Sequence, residues 1–340
     1  MTAAAFPTVR LRRLRRHPIL RGLVRETYLS LEDLIFPLFV KEDEGGLKPI
    51  GSMPGHAQIP VSLIQEEIEK LLDLGISAVM LFGIPSKKDP LALQAFQEQG
   101  VIQRAIKNIR SVSPDILIVS DLCFCEYTDH GHCGFLRENQ EILEPDNDIT
   151  LEFLARLAVS HAKAGADLVA PSGMIDGMVG SIRQGLDGAG FSHIPILSYS
   201  VKYNSCFYGP FRDAAQGAPK CGDRSFHQMD TANAREAIRE CEHDLQEGAD
   251  MLMVKPAHAF LDVIFRIKER FGHVPLGAYH TSGEFAMIKA AAERGWVDEQ
   301  KAVFEVHQSI RRAGADFIIS YYAKELARWG LRTCSTSSIG

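Results

Sequence analysis

The sequence predicts a (β/α)8 barrel, and three observations carry the prediction. Eight short, β-rich apolar runs are spread along the chain, with an amphipathic helical pattern between each and the next. A phrase of helix end, glycine and apolar run recurs as LLDLGISAVMLFG at 71–83, HAKAGADLVAPS at 161–172, DLQEGADMLMVKP at 244–256 and IRRAGADFIIS at 310–320. Each glycine stands where a helix C-cap wants positive φ, so the phrase reads as a helix handing over to a buried strand. An open doubly wound sheet would instead want a Gly-rich phosphate loop after its first strand, and FPLFVKEDEGG is a poor version of one.

In chain order the strands fall at 34–39 (LIFPLF), 77–82 (SAVMLF), 116–120 (ILIVS), 167–170 (DLVA), 195–200 (IPILSYS without its last turn), 250–254 (DMLMV), 274–279 (VPLGAY) and 316–320 (DFIIS). Helical patterns lie near 61–74, 91–109, 149–164, 176–187, 231–247, 258–271, 283–294 and 298–312. No low-complexity linker or shift of composition divides the chain beyond residue 30, so residues 31–340 are expected to form one catalytic domain.

With 340 residues, 46% of them hydrophobic and 24% charged, the chain can bury a full core. Its apolar runs fall well short of the ~20 residues that span a bilayer, which argues against a membrane protein. Residues 1–30 carry seven arginines against one acid, Glu26, so a segment near +6 precedes a body near -12. Only Phe6 and Tyr28 interleave those arginines, which argues against a nucleic-acid arm. The segment reads best as a basic arm that docks on an acidic surface, such as a second copy of this chain. It has no apolar leader core, so a cytoplasmic protein is expected; an organellar transit peptide is the alternative, being Arg-rich and acid-poor, although serine is nearly missing.

A barrel of this kind places its active site at the C-terminal ends of its strands. The residues found there are Asp121, Ser172, Lys202, Lys255, Tyr279 with His280 and Ser282, and Tyr321. Lys202 and Lys255 form the first constellation. Each cation opposes protonation of the other and burial acts in the same sense, so a free amine is expected near neutral pH. A free amine attacks a ketone or aldehyde to give an imine, which then serves as an electron sink. Cys123, Cys125 and Cys133 in DLCFCEYTDHGHCG form the second. Three thiolates can hold one Zn2+ and leave its fourth position open for substrate, while His130 or His132 would close the site as a fourth ligand. The open arrangement is the favoured one, with His132 as a supporting partner. Cys206, Cys221, Cys241 and Cys334 have no partners in sequence and read as ordinary. The third constellation is the Gly/Pro-punctuated segment 203–228, too long for an ordinary connection and bearing Arg212, Lys220 and Arg224. It is expected to be a flap that clamps a substrate carboxylate. A class I aldolase-like lyase would need the lysine but not the thiols, and a zinc-binding protein would need the thiols but neither the lysine pair nor the flap.

Together, DLCFCEYTDHGHCG, VAPSGMIDG, SYSVKYNSCFYGPFRDA, GADMLMVKPA and SGEFAMIKAA closely resemble the porphobilinogen synthase (5-aminolaevulinate dehydratase) family, in family order from about residue 8 to 330. The resemblance implies the asymmetric condensation of two 5-aminolaevulinate molecules to porphobilinogen, with loss of two waters, on the route to haem and chlorophyll. By motif, Lys255 would form the imine with the substrate that ends on the propionate side of the product, and Lys202 would form or assist the second on the acetate side. Ser282 and Tyr321 would hold the first carboxylate, and Arg212, Arg224 and Gln228 the second under the closed flap. Asp121, Ser172 and Tyr208 would line the pocket, and zinc on the three cysteines would polarise the acetate-side ketone or orient its amine. The presence of all three thiols indicates the zinc type over the aspartate-rich magnesium type. REAIRECEHDLQEGAD resembles members with an allosteric Mg2+ bound through a glutamate matching Glu240, against which stands a Glu240 on a solvated helix face. One departure is Gly173, where the family often has an aspartate. The resemblance also implies a homo-octamer of dimers that embrace through their N-terminal arms.

Overall fold

The computed structural model describes residues 6–42, 45–136, 145–220 and 224–333. All eight predicted strands are present: β1 (Leu34–Lys41), β4 (Ala78–Ile84), β5 (Leu117–Leu122), β6 (Leu168–Pro171), β7 (Leu197–Lys202), β8 (Met251–Lys255), β9 (Leu276–His280) and β10 (Phe317–Ser320). Two short strands that the sequence patterns did not indicate, β2 (Lys48–Pro49) and β3 (Ala57–Pro60), lie between β1 and β4; β3 pairs antiparallel with β2 and parallel with the end of β1. They are too brief for a periodicity to register.

The eight long strands run parallel in the order β6-β5-β4-β1-β10-β9-β8-β7. The ring closes between β6 and β7 through one bridge, Val169 to Ile196. This is the barrel that the alternation of patterns predicts, with helices outside and side chains filling the interior.

The recurring helix–glycine–strand phrase has a definite geometry. Gly165, Gly248 and Gly314 each end a helix with φ of 107°, 104° and 119°, a conformation that costs any residue with a Cβ. The aspartate two residues on then accepts a hydrogen bond from an early backbone N–H of the strand before it: Asp167 from Ile118 at 2.7 Å, Asp250 from Ile196 at 2.8 Å, and Asp316 from Leu276 at 2.7 Å. Arg110 also pairs with Asp167 and Lys268 with Asp316. Each GAD triplet therefore stops a helix, starts a strand and fixes where the neighbouring strand begins.

Further up the strands, serines that face the helices pin the two layers together. Ser120 on β5 bonds His161, Ser198 on β7 donates to Asp244 at 2.6 Å, and Ser320 on β10 meets His307 at 2.7 Å. Ser120 and Ser320 each precede a residue of the site, Asp121 and Tyr321. On the inner side, rings step across the strands from Phe82 to Phe39, Tyr321, Tyr279 and Tyr199, with neighbouring centroids 5.7 to 6.4 Å apart. They make an aromatic floor beneath the mouth of the barrel.

Most predicted helices are present, with shifted starts. The pattern at 91–109 resolves into a 3-10 turn, Leu93–Phe96, and a helix, Val101–Val112, capped at Gly100. Those at 231–247 and 258–271 begin late, as Glu236–Glu247 and Leu261–Arg270. Three further helices, Pro18–Leu23, Gly209–Ala214 and Ala323–Arg328, are too short to show a 3.6-residue period.

Candidate active site

The two lysines are held opposite each other by strand register. β7 and β8 pair with Lys202 facing Lys255 across the ladder, and both side chains are 5% exposed. The Lys202 Nζ donates to the Ser172 carbonyl. The Lys255 Nζ lies in a cage of rings, 4.1 Å from the Tyr279 centroid, 5.0 Å from Phe211, 5.2 Å from Tyr199 and 5.4 Å from Tyr208. Its carbonyl accepts from the Tyr208 hydroxyl at 3.1 Å. Burial, and then the charge of Lys202, lower the Lys255 pKa from the usual lysine range to about 7. A neutral, nucleophilic amine is thereby accessible at ordinary pH.

Asp121, near the end of β5, accepts from the Ser172 hydroxyl at 3.2 Å. Burial and the neighbouring Glu126 push its pKa up to about 7, against the opposing pull of the two lysines. Tyr279 and Tyr321 share a hydroxyl–hydroxyl hydrogen bond of 3.1 Å. Ser282 opens the helix Ser282–Glu293, and its hydroxyl accepts from the Phe211 N–H at 2.9 Å. Hydroxyls beside the start of a helix suit a carboxylate.

Cys123, Cys125 and Cys133 are buried, and their sulfurs all lie within 4.8 Å of one another. Among the described residues no histidine or carboxylate joins that group. Hydrogen bonds from the other two thiols, assisted by Arg224, hold Cys133 well below the usual thiol range. Cys123 and Cys125 are pushed the other way, well above that range, by their contacts with Cys133 and by burial. Three clustered sulfurs, one of them readily ionised, with a cation alongside are a donor set that fits a soft divalent metal. His227 also lies against Cys133. Cys206 is exposed and Cys241 buried, while Cys221 and Cys334 lie outside the described residues.

The segment 203–228 is tied at its base, where Met229 donates to the Lys202 carbonyl at 3.0 Å and Asn204 to that of Met229 at 2.8 Å. Its far end is folded onto the thiol loop. Arg224 donates to the carbonyls of Gly131 and Gly217 at 3.1 and 2.7 Å, the Lys220 amide to His130 at 3.1 Å, and Lys88 to Gln216 at 2.6 Å. A Cβ on Gly131 would come within 2.3 Å of the Ala218 carbonyl oxygen, so glycine is required for this approach. Arg224 and Gln228 are each 3% exposed, and among the described residues both Gln228 amide atoms and the Nε of Arg212 and of Arg224 lack partners. The three nitrogens are unused donors of the kind a carboxylate satisfies. Lys220 is exposed at the rim.

Tyr199, Phe211 and Lys88 escaped the reading of strand ends. Tyr199 and Lys202 are three apart on one strand, which alternation assigns to opposite faces, yet a register shift between Ser198 and Val201 brings both to the lysine cage. Nothing in the sequence marks that bulge. Glu240 stands elsewhere, over a groove of about 510 Å³ lined also by Asp176, Glu236 and Asp244. Burial, followed by the charges of Asp244, Asp176 and Glu236, raises its pKa to about 7.

The sequence pattern of the delta-aminolevulinic acid dehydratase family matches residues 8–329. Dehydratases of that name from Synechocystis sp. and Archaeoglobus fulgidus are 51% and 52% identical, each over 95% of this chain and 99% and 98% of theirs. A crystal structure of delta-aminolevulinic acid dehydratase (porphobilinogen synthase) from Toxoplasma gondii in complex with the reaction product porphobilinogen matches with a TM-score of 0.91 and 44% identity, over 94% of this chain and 91% of that one. In sequence, fold and the contents of the barrel mouth, this chain belongs to the delta-aminolevulinic acid dehydratase (porphobilinogen synthase) family of hydro-lyases.

Proposed function

We propose that this chain condenses two molecules of 5-aminolaevulinate into porphobilinogen with release of two waters, the ring-forming step of tetrapyrrole synthesis. The observation that carries this reading is the in-register lysine pair, one amine caged by rings, at the same mouth as three clustered thiols. Lys255 attacks the ketone of the first substrate, and water leaves as the imine forms. Lys202, whose Nζ is held on the Ser172 carbonyl, serves the second substrate in the same way or assists it. Asp121, hydrogen-bonded to Ser172 and within electrostatic reach of both amines, relays protons at the carboxylate oxygen.

Ser282, Tyr279 and Tyr321 take the carboxylate of the first substrate, while Arg212, Arg224 and Gln228 take that of the second, with Lys220 adding charge at the rim. Tyr208 steadies the Lys255 backbone. The flap, seated on the thiol loop, excludes water, which would otherwise hydrolyse the imines. Zn2+ is the metal we assign to Cys123, Cys125 and Cys133, where it supplies Lewis acidity toward the second substrate. A Mg2+ bound largely through water beside Glu240 is supported by the four carboxylates that share its groove. We also assign to residues 1–30 the role of an inter-subunit arm in a homo-octamer. Arg10, Leu11, Arg13, Ile19 and Leu23 are all exposed on that arm, an amphipathic surface that an acidic partner body would cover. No described helix is long and apolar enough to cross a membrane, and we place the enzyme in the cytoplasm.

The direct test is colorimetric detection of a pyrrole after incubation with 5-aminolaevulinate, with and without a metal chelator. Pyrrole should form, vanish with chelator and return with added zinc. A folded, zinc-replete protein that makes none would refute the reading.

A further inference from the structure

Glu284 is a carboxylate with 0% exposure whose partners among the described residues are N–H and O–H groups rather than a basic side chain. Half of its role is local. Oε2 accepts from the Thr281 N–H at 2.6 Å and its hydroxyl at 3.1 Å, completing the capping box at the start of Ser282–Glu293. A cap needs no more than that. Yet Oε1 leaves the helix and accepts the His258 N–H at 2.6 Å, 26 residues away in sequence, and the Ala257 N–H also faces the carboxylate. Ala257 and His258 are the direct continuation of Lys255, and Thr281 directly precedes Ser282. One buried carboxylate thus ties the backbone behind the imine-forming lysine to the backbone that presents the carboxylate-holding serine. Burial pushes the Glu284 pKa up to about 7 while these N–H and O–H groups pull it down, so the geometry of three short contacts in a buried place, charge-assisted above that pH, is what makes the tie stiff.

The span matters because of the substrate's shape. 5-Aminolaevulinate is a γ-keto acid, with two methylenes between its carboxylate and its ketone carbon. We propose that Glu284 is a positioning residue that sets the distance between the Lys255 amine and Ser282, and so selects keto acids of that length. The inference rests on the roles given above to Lys255 and Ser282. It predicts a change of selectivity, which loss of a helix cap alone does not.

The experiment is borohydride trapping on the zinc-loaded, full-length enzyme with two probes, 4-oxopentanoate and its one-methylene-longer homologue 5-oxohexanoate. Adducts on Lys255 are counted by peptide mass. Glu284→Asp keeps a carboxylate at the helix start but retracts it by one methylene from His258. Trapping of 4-oxopentanoate should slow about tenfold, as expected for a small misplacement of reacting groups, and the preference for the shorter acid should fall by a similar factor. Glu284→Gln, which must turn an amide hydrogen toward one of the N–H donors, serves the same purpose if the aspartate variant does not fold. Thr281→Ala removes the cap hydroxyl and leaves the bridge; it should lower the melting temperature and keep the preference. An unchanged preference in both Glu284 variants, or an equal loss of preference in Thr281→Ala, would overturn the proposal. Wild-type enzyme that leaves no adduct on Lys255 would bring down the role of that lysine first, and this inference with it.

Discussion

Lys255 has exchanged water for aromatic faces, and its reactivity follows from that exchange. With its pKa lowered to about 7, the amine is protonated and inert below that pH and free above it. Borohydride trapping of substrate on Lys255 should therefore fall about tenfold per pH unit on the acid side of 7 and level off above it. A profile that keeps rising to pH 10 would mean an ordinary, solvated lysine. Lys255→Met should abolish turnover and leave zinc stoichiometry unchanged, as measured by metal analysis beside the pyrrole assay. At this scale the sequence was informative at or within three residues of the end of an apolar run: Asp121, Ser172, Lys202, Lys255, Ser282 and Tyr321 all stand at the barrel mouth. It was silent where geometry departs from regular alternation. Tyr199 reaches the lysines through a bulge, and His227 reaches Cys133 through the fold of a long segment. Neither arrangement leaves a mark on residue type or spacing.

Among the elements, the GAD triplets and the flap carry separate loads. Asp316 links the start of β10 to the first N–H of β9, with Lys268 alongside. Asp316→Ala should cost about 1–2 kcal/mol, mostly from the unpaired Leu276 N–H, because the ion pair is partly exposed and contributes little. Urea unfolding would show the loss, and pyrrole formation per folded molecule should be unchanged. The repeat was visible in the sequence because it reuses one solution to one problem, ending a helix and aligning a strand. The flap poses a different problem. Its boundaries could be read from length and Gly/Pro punctuation, but its docking on the thiol loop could not, since much of it runs through backbone carbonyls, which leave no trace in residue type. Gly131, with φ of 74°, is where they meet most closely. Gly131→Ala should push the flap outward and raise KM for 5-aminolaevulinate at least tenfold, with the melting temperature little changed. An unaltered KM would show that the flap can seat without that contact.

On the reading proposed above, a barrel that folds without metal carries a site that works only with one. The thiols sit on a loop beyond β5, while the core is a continuous apolar cluster drawn from every barrel strand. Chelation should accordingly abolish activity and move the melting temperature by only a few degrees; melting of the fold on mild chelation would make the metal structural. Deleting residues 1–23 removes the exposed arm and should lower the assembly size in sedimentation without unfolding the barrel. The route by which the barrel closes has one more consequence. Hydrogen-bonded pairing runs unbroken from β6 to β7 by way of β1 and β10, whereas β6 and β7 themselves meet at a single bridge. That seam divides the chain into two half-barrels of different chemistry. The N-terminal half owns the thiols, Asp121 and Ser172; the C-terminal half owns both lysines, Ser282 and Tyr321. Cut in the turn at 189–194, the enzyme should become two inert fragments, one holding the thiols and one the lysines. Co-refolded, they should regain pyrrole synthesis as a heterodimer, so that catalysis itself reports whether the halves have found each other.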